Sequence, residues 1–236
     1  MMTARRGPRP GHIAELCGGY ALPLDPMADE HLSVILETIS LAWGQLCSEG
    51  AAVLRSGDEA EINALLEPRL NHLRESCPLW NGLVSSIVRG RESMNYNGVR
   101  LEPRPDLTLV LTRRNSNFPL AIECKIIDNA TGKRTGLYCK KGVARFLDGD
   151  YAWMNREAIM LAYVRDGSTI LSQLVPYLAE CAKSSPDPML TVAHPVVTVL
   201  HPTAHVSTHS RNFSYPAGTN GEEPGPISIW HLWVSV

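Results

Sequence analysis

The chain has 236 residues, of which 44% are apolar, 19% charged and 6% aromatic. That length and apolar share suffice for a buried core and exclude a disordered chain, and no apolar stretch reaches the roughly 20 residues of a membrane span. With 22 basic and 24 acidic residues the net charge is −2, so the chain as a whole carries no nucleic-acid footprint.

Residues 1–27 are rich in Pro, Gly and Arg and read as a loose N-terminal arm, followed by one domain over 28–236. The start, MMTARRGPRPGH, has charges but no apolar segment behind them, so no secretory signal is read. Between His31 and Cys47, apolar residues at 32, 35, 36, 39, 42, 43 and 46 recur at helical spacing. Ser56-Gly57-Asp58 offers capping residues for a second helix, EAEINALLEPRLNHLRESC, within which Pro68 marks a kink or the true start. The β-branched run 83–90, the alternating run 106–112 and FPLAIECKIID (118–128) read as strands, the last two as a hairpin across the turn RRNSN. A loop over 129–136 leads to a helix over 137–146. AIMLAYV (158–164) is almost continuously apolar, as in a central strand buried on both faces. Gly167-Ser168 then caps a helix interrupted by Pro176. Strand-like runs follow at 195–200 and 227–234, and the segment between them reads mostly as loop. The order of elements predicts an α/β protein with a central mixed β-sheet flanked by helices.

Charge is uneven along the chain. Residues 89–147 hold 12 basic and five acidic side chains, a local +7 against −9 elsewhere, which suggests one face that meets a polyanion. The six cysteines, at 17, 47, 77, 124, 139 and 181, form no CxxC pair, which speaks against a zinc ribbon and fits a reducing cytoplasm.

The chemistry concentrates at Asp106 and at Glu123-Cys124-Lys125. Side chains alternate along a strand, so Glu123 and Lys125 point to one face and Cys124 to the other. A carboxylate and an ammonium in the middle of an apolar strand are expensive to bury. Asp106 opens the partner strand, where the hairpin brings it near Glu123. Two carboxylates beside a lysine suit a hard cation such as Mg²⁺, which takes one or two carboxylates and keeps several waters. The Cys124 carbonyl is a natural further ligand. An ExK pair alone is also the pattern of a salt bridge on an edge strand.

Pro105-Asp106, sixteen residues, then Glu123-x-Lys125, in helix–strand–strand–strand–helix–strand order, resembles the PD-(D/E)xK nuclease superfamily with its restriction-endonuclease-like fold. The resemblance covers roughly residues 58–165, leaving a C-terminal helix and strands over 166–236. It implies that Asp106 and Glu123 ligate Mg²⁺ (or Mn²⁺), that Lys125 is the catalytic lysine, and that the first core helix adds an acid. Glu61 is the best match for that acid, with Glu59 and Glu67 as competitors. More loosely, the run YCKKGVARFLDGDYA behind the ECK strand resembles small nucleases of bacterial antiviral defence. There Tyr138, Lys141 and Arg145 share one helical face by spacing and could bind phosphates.

His205 and His209 would chelate zinc only from a helix, which Pro202 and Pro216 oppose. In extended structure His205, Ser207, His209 and Arg211 form one row that could touch phosphate or the leaving group. Trp230 and Trp233 read as core. GxSxG, P-loop, GxGxxG and HExxH motifs are absent.

The expectation is therefore a Mg²⁺-dependent endonuclease acting on DNA, with RNA or branched DNA as alternative substrates. Since no sequence-reading domain is recognisable, targeting falls to a protein partner or a homo-oligomer. The alternative is a non-catalytic nucleic-acid-binding or assembly subunit with a nuclease-like fold.

Overall fold

A computed structural model of the chain describes residues 12–17, 19–99, 103–216 and 223–236. In it the alternating and continuous apolar runs line up as a seven-stranded mixed sheet with helices on its faces. The sheet comprises β1 (Val84–Arg89), β2 (Leu107–Leu111), β3 (Leu120–Ile127), β4 (Glu157–Val164), β5 (Thr191–Thr198), β6 (His201–His209) and β7 (Ile227–Ser235), in the spatial order β1-β2-β3-β4-β7-β6-β5. The central strands β3, β4 and β7 run parallel, and the outer pairs are antiparallel. All eight residues of β4 are buried, as its unbroken apolar run predicts for a strand covered on both faces.

One face is covered by α2 (Asp29–Ser48) and α4 (Glu59–Ser76), which contact one another and the sheet. The α2 stripe Leu32, Ile35, Leu36, Ile39, Ala42, Trp43 and Leu46 is buried, as its spacing predicts. A reciprocal capping box sets the start of α4: Asp58 accepts from the Glu61 N–H and Glu61 accepts from the Asp58 N–H, both at 2.8 Å. The helix starts at Glu59 and runs through Pro68 to Ser76, so Pro68 is not its start. Short helices α3 (Val53–Ser56) and α5 (Pro78–Leu83) flank it.

The opposite face carries α6 (Thr135–Tyr138), a π-helical turn (Cys139–Val143) and α7 (Ala144–Leu147) in unbroken succession, so the helix predicted over 137–146 is present with a wider turn in its middle. A second π turn (Ile170–Leu174), capped by Thr169, leads into α8 (Val175–Cys181).

Two expectations are corrected. Residues 12–17 and 19–27 are not a loose arm: α1 (His12–Cys17) and the following turn bury Ile13, Cys17 and Leu22 against Phe118, Trp153 and Met154. Residues 1–11 and 18 of that arm lie outside the described residues. The segment after 200, read mostly as loop, contributes the nine-residue strand β6, sandwiched between β5 and β7. Among the described residues, no helix is long and apolar enough to cross a membrane.

Candidate active site

The predicted hairpin forms, with Leu107 opposite Ile122, Thr108 opposite Ala121 and Leu109 opposite Leu120. Pairing stops there, because Pro105 and Asp106 turn away from β3 while β3 runs on to Ile127. The edge of β3 beyond Ile122 therefore has no backbone partner on this side, and its N–H groups need other acceptors. Two carboxylates supply them. Asp106 Oδ2 accepts from the Cys124 N–H at 2.7 Å, and Glu59 Oε1, reaching across from the first turn of α4, accepts from the Ile126 N–H at 3.0 Å.

Lys125 stands in the mouth of this fork. Its Nζ lies 2.8 Å from Glu123 Oε1, 3.7 Å from Asp106 Oδ2 and 3.7 Å from Glu59 Oε2, and it donates to the Cys124 carbonyl at 2.7 Å. The lysine side chain is 14% exposed and that of Glu123 only 3%. The second Glu123 oxygen accepts from the Tyr151 hydroxyl. Arg145 Nε lies 3.7 Å from Glu123 Oε1, and its guanidinium stands 5.9 Å from the centre of the Tyr151 ring.

The charges pull against one another. Burial pushes the Glu123 carboxyl above its ordinary value, and the neighbouring Asp106 charge pushes it further; Lys125 and the Tyr151 hydroxyl oppose this. Burial likewise raises Asp106, against Lys125 and the Cys124 N–H. Burial alone would lower Lys125, but Glu123 and Asp106 outweigh it and hold the ammonium above the usual lysine value. Burial, then the Glu123 charge, raises the Tyr151 phenol, so it stays a protonated donor.

Close packing makes the arrangement possible. Gly142, in the π turn, faces β4: a Cβ there would stand 2.5 Å from Met160 Cε and 3.6 Å from Glu123 Cγ. A side chain at this position would have to displace the flexible end of Met160, which packs beside Glu123.

The structure brings together Asp106, Glu123, Lys125 and, more loosely, Arg145. It corrects the first-helix acid. Glu61 is held in the capping box, whereas Glu59, two residues earlier, reaches the cluster. Tyr138 is not on a phosphate-binding face. It is fully buried, and its hydroxyl donates to His231 Nδ1 at 2.7 Å. Lys141 is exposed, but the π turn breaks the α-helical phase that would align it with Tyr138.

The row from His205 to Arg211 is not an exposed edge either, because β5 covers β6 on that side. His209 is fully buried and bonded to Ser207 and to the Met189 carbonyl, both at 2.7 Å. His205 is buried with neither ring nitrogen hydrogen-bonded. Arg211 donates to the carbonyls of Trp153, at 2.7 Å, and Asn155. Sequence reasoning gave Tyr151 no role. Its position in the run behind the ECK strand was visible, but its hydrogen bond to Glu123 was not.

Among the described residues, no three His, Cys, Asp or Glu side chains are grouped so as to hold a metal ion. The available hard donors are two carboxylates, Asp106 and Glu123, with the Cys124 carbonyl beside them. That oxygen set suits a cation that keeps most of its waters. Three carboxylates face two basic side chains, so the cluster retains negative charge. No protein-family model, curated protein or solved structure matches the chain.

Proposed function

We propose that this chain is a metal-dependent endonuclease of the PD-(D/E)xK kind, hydrolysing DNA phosphodiesters with Mg²⁺ or Mn²⁺. One observation carries the reading: the Lys125 ammonium is held within 4 Å of three carboxylates, from α4, the start of β2 and β3, where β2 parts from β3. A structural salt bridge needs one acid. Three, two of them shifted upward by burial, are the costly arrangement expected of a working site. The helix–β1–β2–β3–helix–β4 order supports the restriction-endonuclease-like reading of the core.

Asp106, Glu123 and the Cys124 carbonyl would hold the cation. When bound, such a cation polarises a phosphoryl oxygen and acidifies a water. The chain's own residues do the rest. Lys125 orients the attacking water and offsets charge growing on the phosphoryl oxygens. Glu59 and Asp106 fix the β3 edge, so Glu123 and Lys125 keep their separation. Tyr151 holds one Glu123 oxygen in place. Arg145 and the exposed Lys141 supply positive charge for the DNA backbone.

A second reading has its own support. Both Glu123 oxygens are engaged by protein groups, Lys125 and Tyr151, as they would be in a subunit that binds nucleic acid or assembles without cleaving. Supercoiled plasmid incubated with Mg²⁺, Mn²⁺ or EDTA, beside an Asp106→Asn variant, separates the two. Metal-dependent nicking lost in the variant supports the nuclease; DNA binding without nicking in any metal supports the subunit.

A further inference from the structure

Glu123 has two oxygens, and the protein uses both. Tyr151 donates to one and Lys125 to the other. The same ammonium donates to the Cys124 carbonyl at 2.7 Å and stands 3.7 Å from Asp106 Oδ2. It therefore rests against every group suited to hold a cation here, and it is hydrogen-bonded to two of the three.

An ammonium is a compact positive charge with three donors, and oxygen acceptors hold it as they hold a metal ion. Oxygens engaged in this way are not free to ligate. Two cations a few ångströms apart also repel, more strongly where water is largely excluded, as it is around Glu123 and Lys125. A divalent cation and the Lys125 ammonium thus compete for the same oxygens.

The fork offers the ammonium a second anchor. Glu59 Oε1 is fixed by the Ile126 N–H at 3.0 Å. Its other oxygen accepts no hydrogen bond among the described residues and lies 3.7 Å from Lys125 Nζ. The Glu59 side chain is 32% exposed against 14% for that of Lys125, so the move from Glu123 to Glu59 leads outward. A four-carbon stem allows such a short swing without moving β3.

Resting on the nuclease reading above, we propose that Lys125 is a movable occupant of the cation site, and that a divalent cation binds there only as the ammonium passes from Glu123 and the Cys124 carbonyl to Glu59. Glu59 is then a positioning residue that acts through Lys125 and is no ligand itself. Two consequences follow from the exchange. Without a cation the buried acids keep a counter-charge. With one, the lysine is released toward the side where substrate arrives, so loading the site and arming Lys125 are one event. No covalent bond changes, and the ammonium keeps its proton throughout.

Titration calorimetry of the full chain with Mn²⁺, without DNA, reads this exchange on four proteins: the native chain, Lys125→Met, Glu59→Gln and the double variant. A site open in about one molecule in ten binds about tenfold more weakly than one always open. Lys125→Met should therefore bind Mn²⁺ about tenfold more tightly than the native chain. Glu59→Gln should bind it more weakly, because the ammonium has lost its second anchor. Once Lys125 is gone, Glu59→Gln should have no effect, which is the signature of one residue acting through another. If Lys125→Met does not fold, the native chain decides by itself. Brief acetylation with acetic anhydride, read by peptide mass spectrometry against the exposed Lys183, should label Lys125 several times faster in Mn²⁺ than in EDTA. Equal or weaker Mn²⁺ binding by Lys125→Met, or unchanged labelling of Lys125 in a chain that binds Mn²⁺, overturns the exchange and leaves the nuclease reading standing. An equal loss from Glu59→Gln with and without Lys125 makes Glu59 a direct ligand and overturns its role as an anchor. No Mn²⁺ binding by any of the four proteins overturns the cation site, and the nuclease reading with it.

Discussion

Asp106 Oδ2 accepts a 2.7 Å hydrogen bond from the backbone N–H of Cys124 and stands 3.7 Å from Lys125 Nζ, so one carboxylate closes the sheet and charges the site at once. Asp106→Asn separates the two tasks. The amide oxygen can still accept from Cys124, so the melting temperature should stay near that of the native protein. The charge is gone, so nicking should fall by at least about 100-fold, the scale at which single electrostatic groups act in catalysis. Calorimetry beside plasmid nicking reads both. Native nicking rates in the variant would remove Asp106 from the chemistry.

Lys125→Met leaves Glu123, Asp106 and Glu59 facing one another without the ammonium. Removing one partner of a buried ion pair costs about 3–5 kcal/mol. The loss should depend on pH. Glu123 and Asp106 already have folded pKa values above their unfolded ones, so the fold binds more of their protons and loses stability as pH rises above about 4. Without Lys125 both rise further. The variant should therefore lose more stability at pH 7 than at pH 5, measured by urea unfolding. An equal loss at both would contradict the coupling.

Glu59 and Glu61 should behave in opposite ways. Glu59→Gln should reduce nicking and leave the helix intact, because the side-chain oxygen can still accept from Ile126. Glu61→Ala should cost about 1 kcal/mol through the lost capping box and leave nicking unchanged. Thermal melts and nicking rates on the pair decide which acid belongs to the site.

Tyr151→Phe removes the hydroxyl that stabilises the Glu123 carboxylate. Glu123 should then hold its proton to higher pH. If cleavage needs the ionised form, the acid limb of the kcat/KM profile moves to higher pH. A limb that stays in place would detach Tyr151 from the reaction.

The buried row Tyr138–His231–Ser207–His209 gives a separate pH signature. His209 Nδ1–H donates to the Met189 carbonyl, Ser207 donates to His209, His231 donates to Ser207, and Tyr138 donates to His231, which satisfies every group with both imidazoles neutral. Burial lowers both histidines below 6.5. The unfolded chain therefore binds protons that the fold refuses, and stability falls as pH drops below 6.5. Urea unfolding between pH 5 and 7 should show this slope, and His231→Phe should flatten it.

Much of this was legible in the sequence. The α2 stripe, the unbroken apolar β4 and the β2–β3 hairpin follow from periodicity alone, and alternation along β3 put Glu123 and Lys125 on one face. β6 was hidden because its His, Ser and Thr side chains look like loop, while in the fold several of them satisfy one another inside. Glu59 ranked only as a competitor to Glu61, because sequence spacing cannot tell a capping acid from one aimed across the sheet. Tyr138 was misplaced because the π turn shifts the helical phase that spacing arguments assume.

The parting of β2 from β3 sets a rule for drift in this fold. Positions 59 and 106 must each keep an oxygen acceptor, or the β3 edge loses its hydrogen bonds. Asn and Gln would meet that demand as well as Asp and Glu do. The backbone thus asks for the atom and is indifferent to the charge. A copy that had ceased to need the charge could shed it at these two positions by single amide replacements, without opening its sheet.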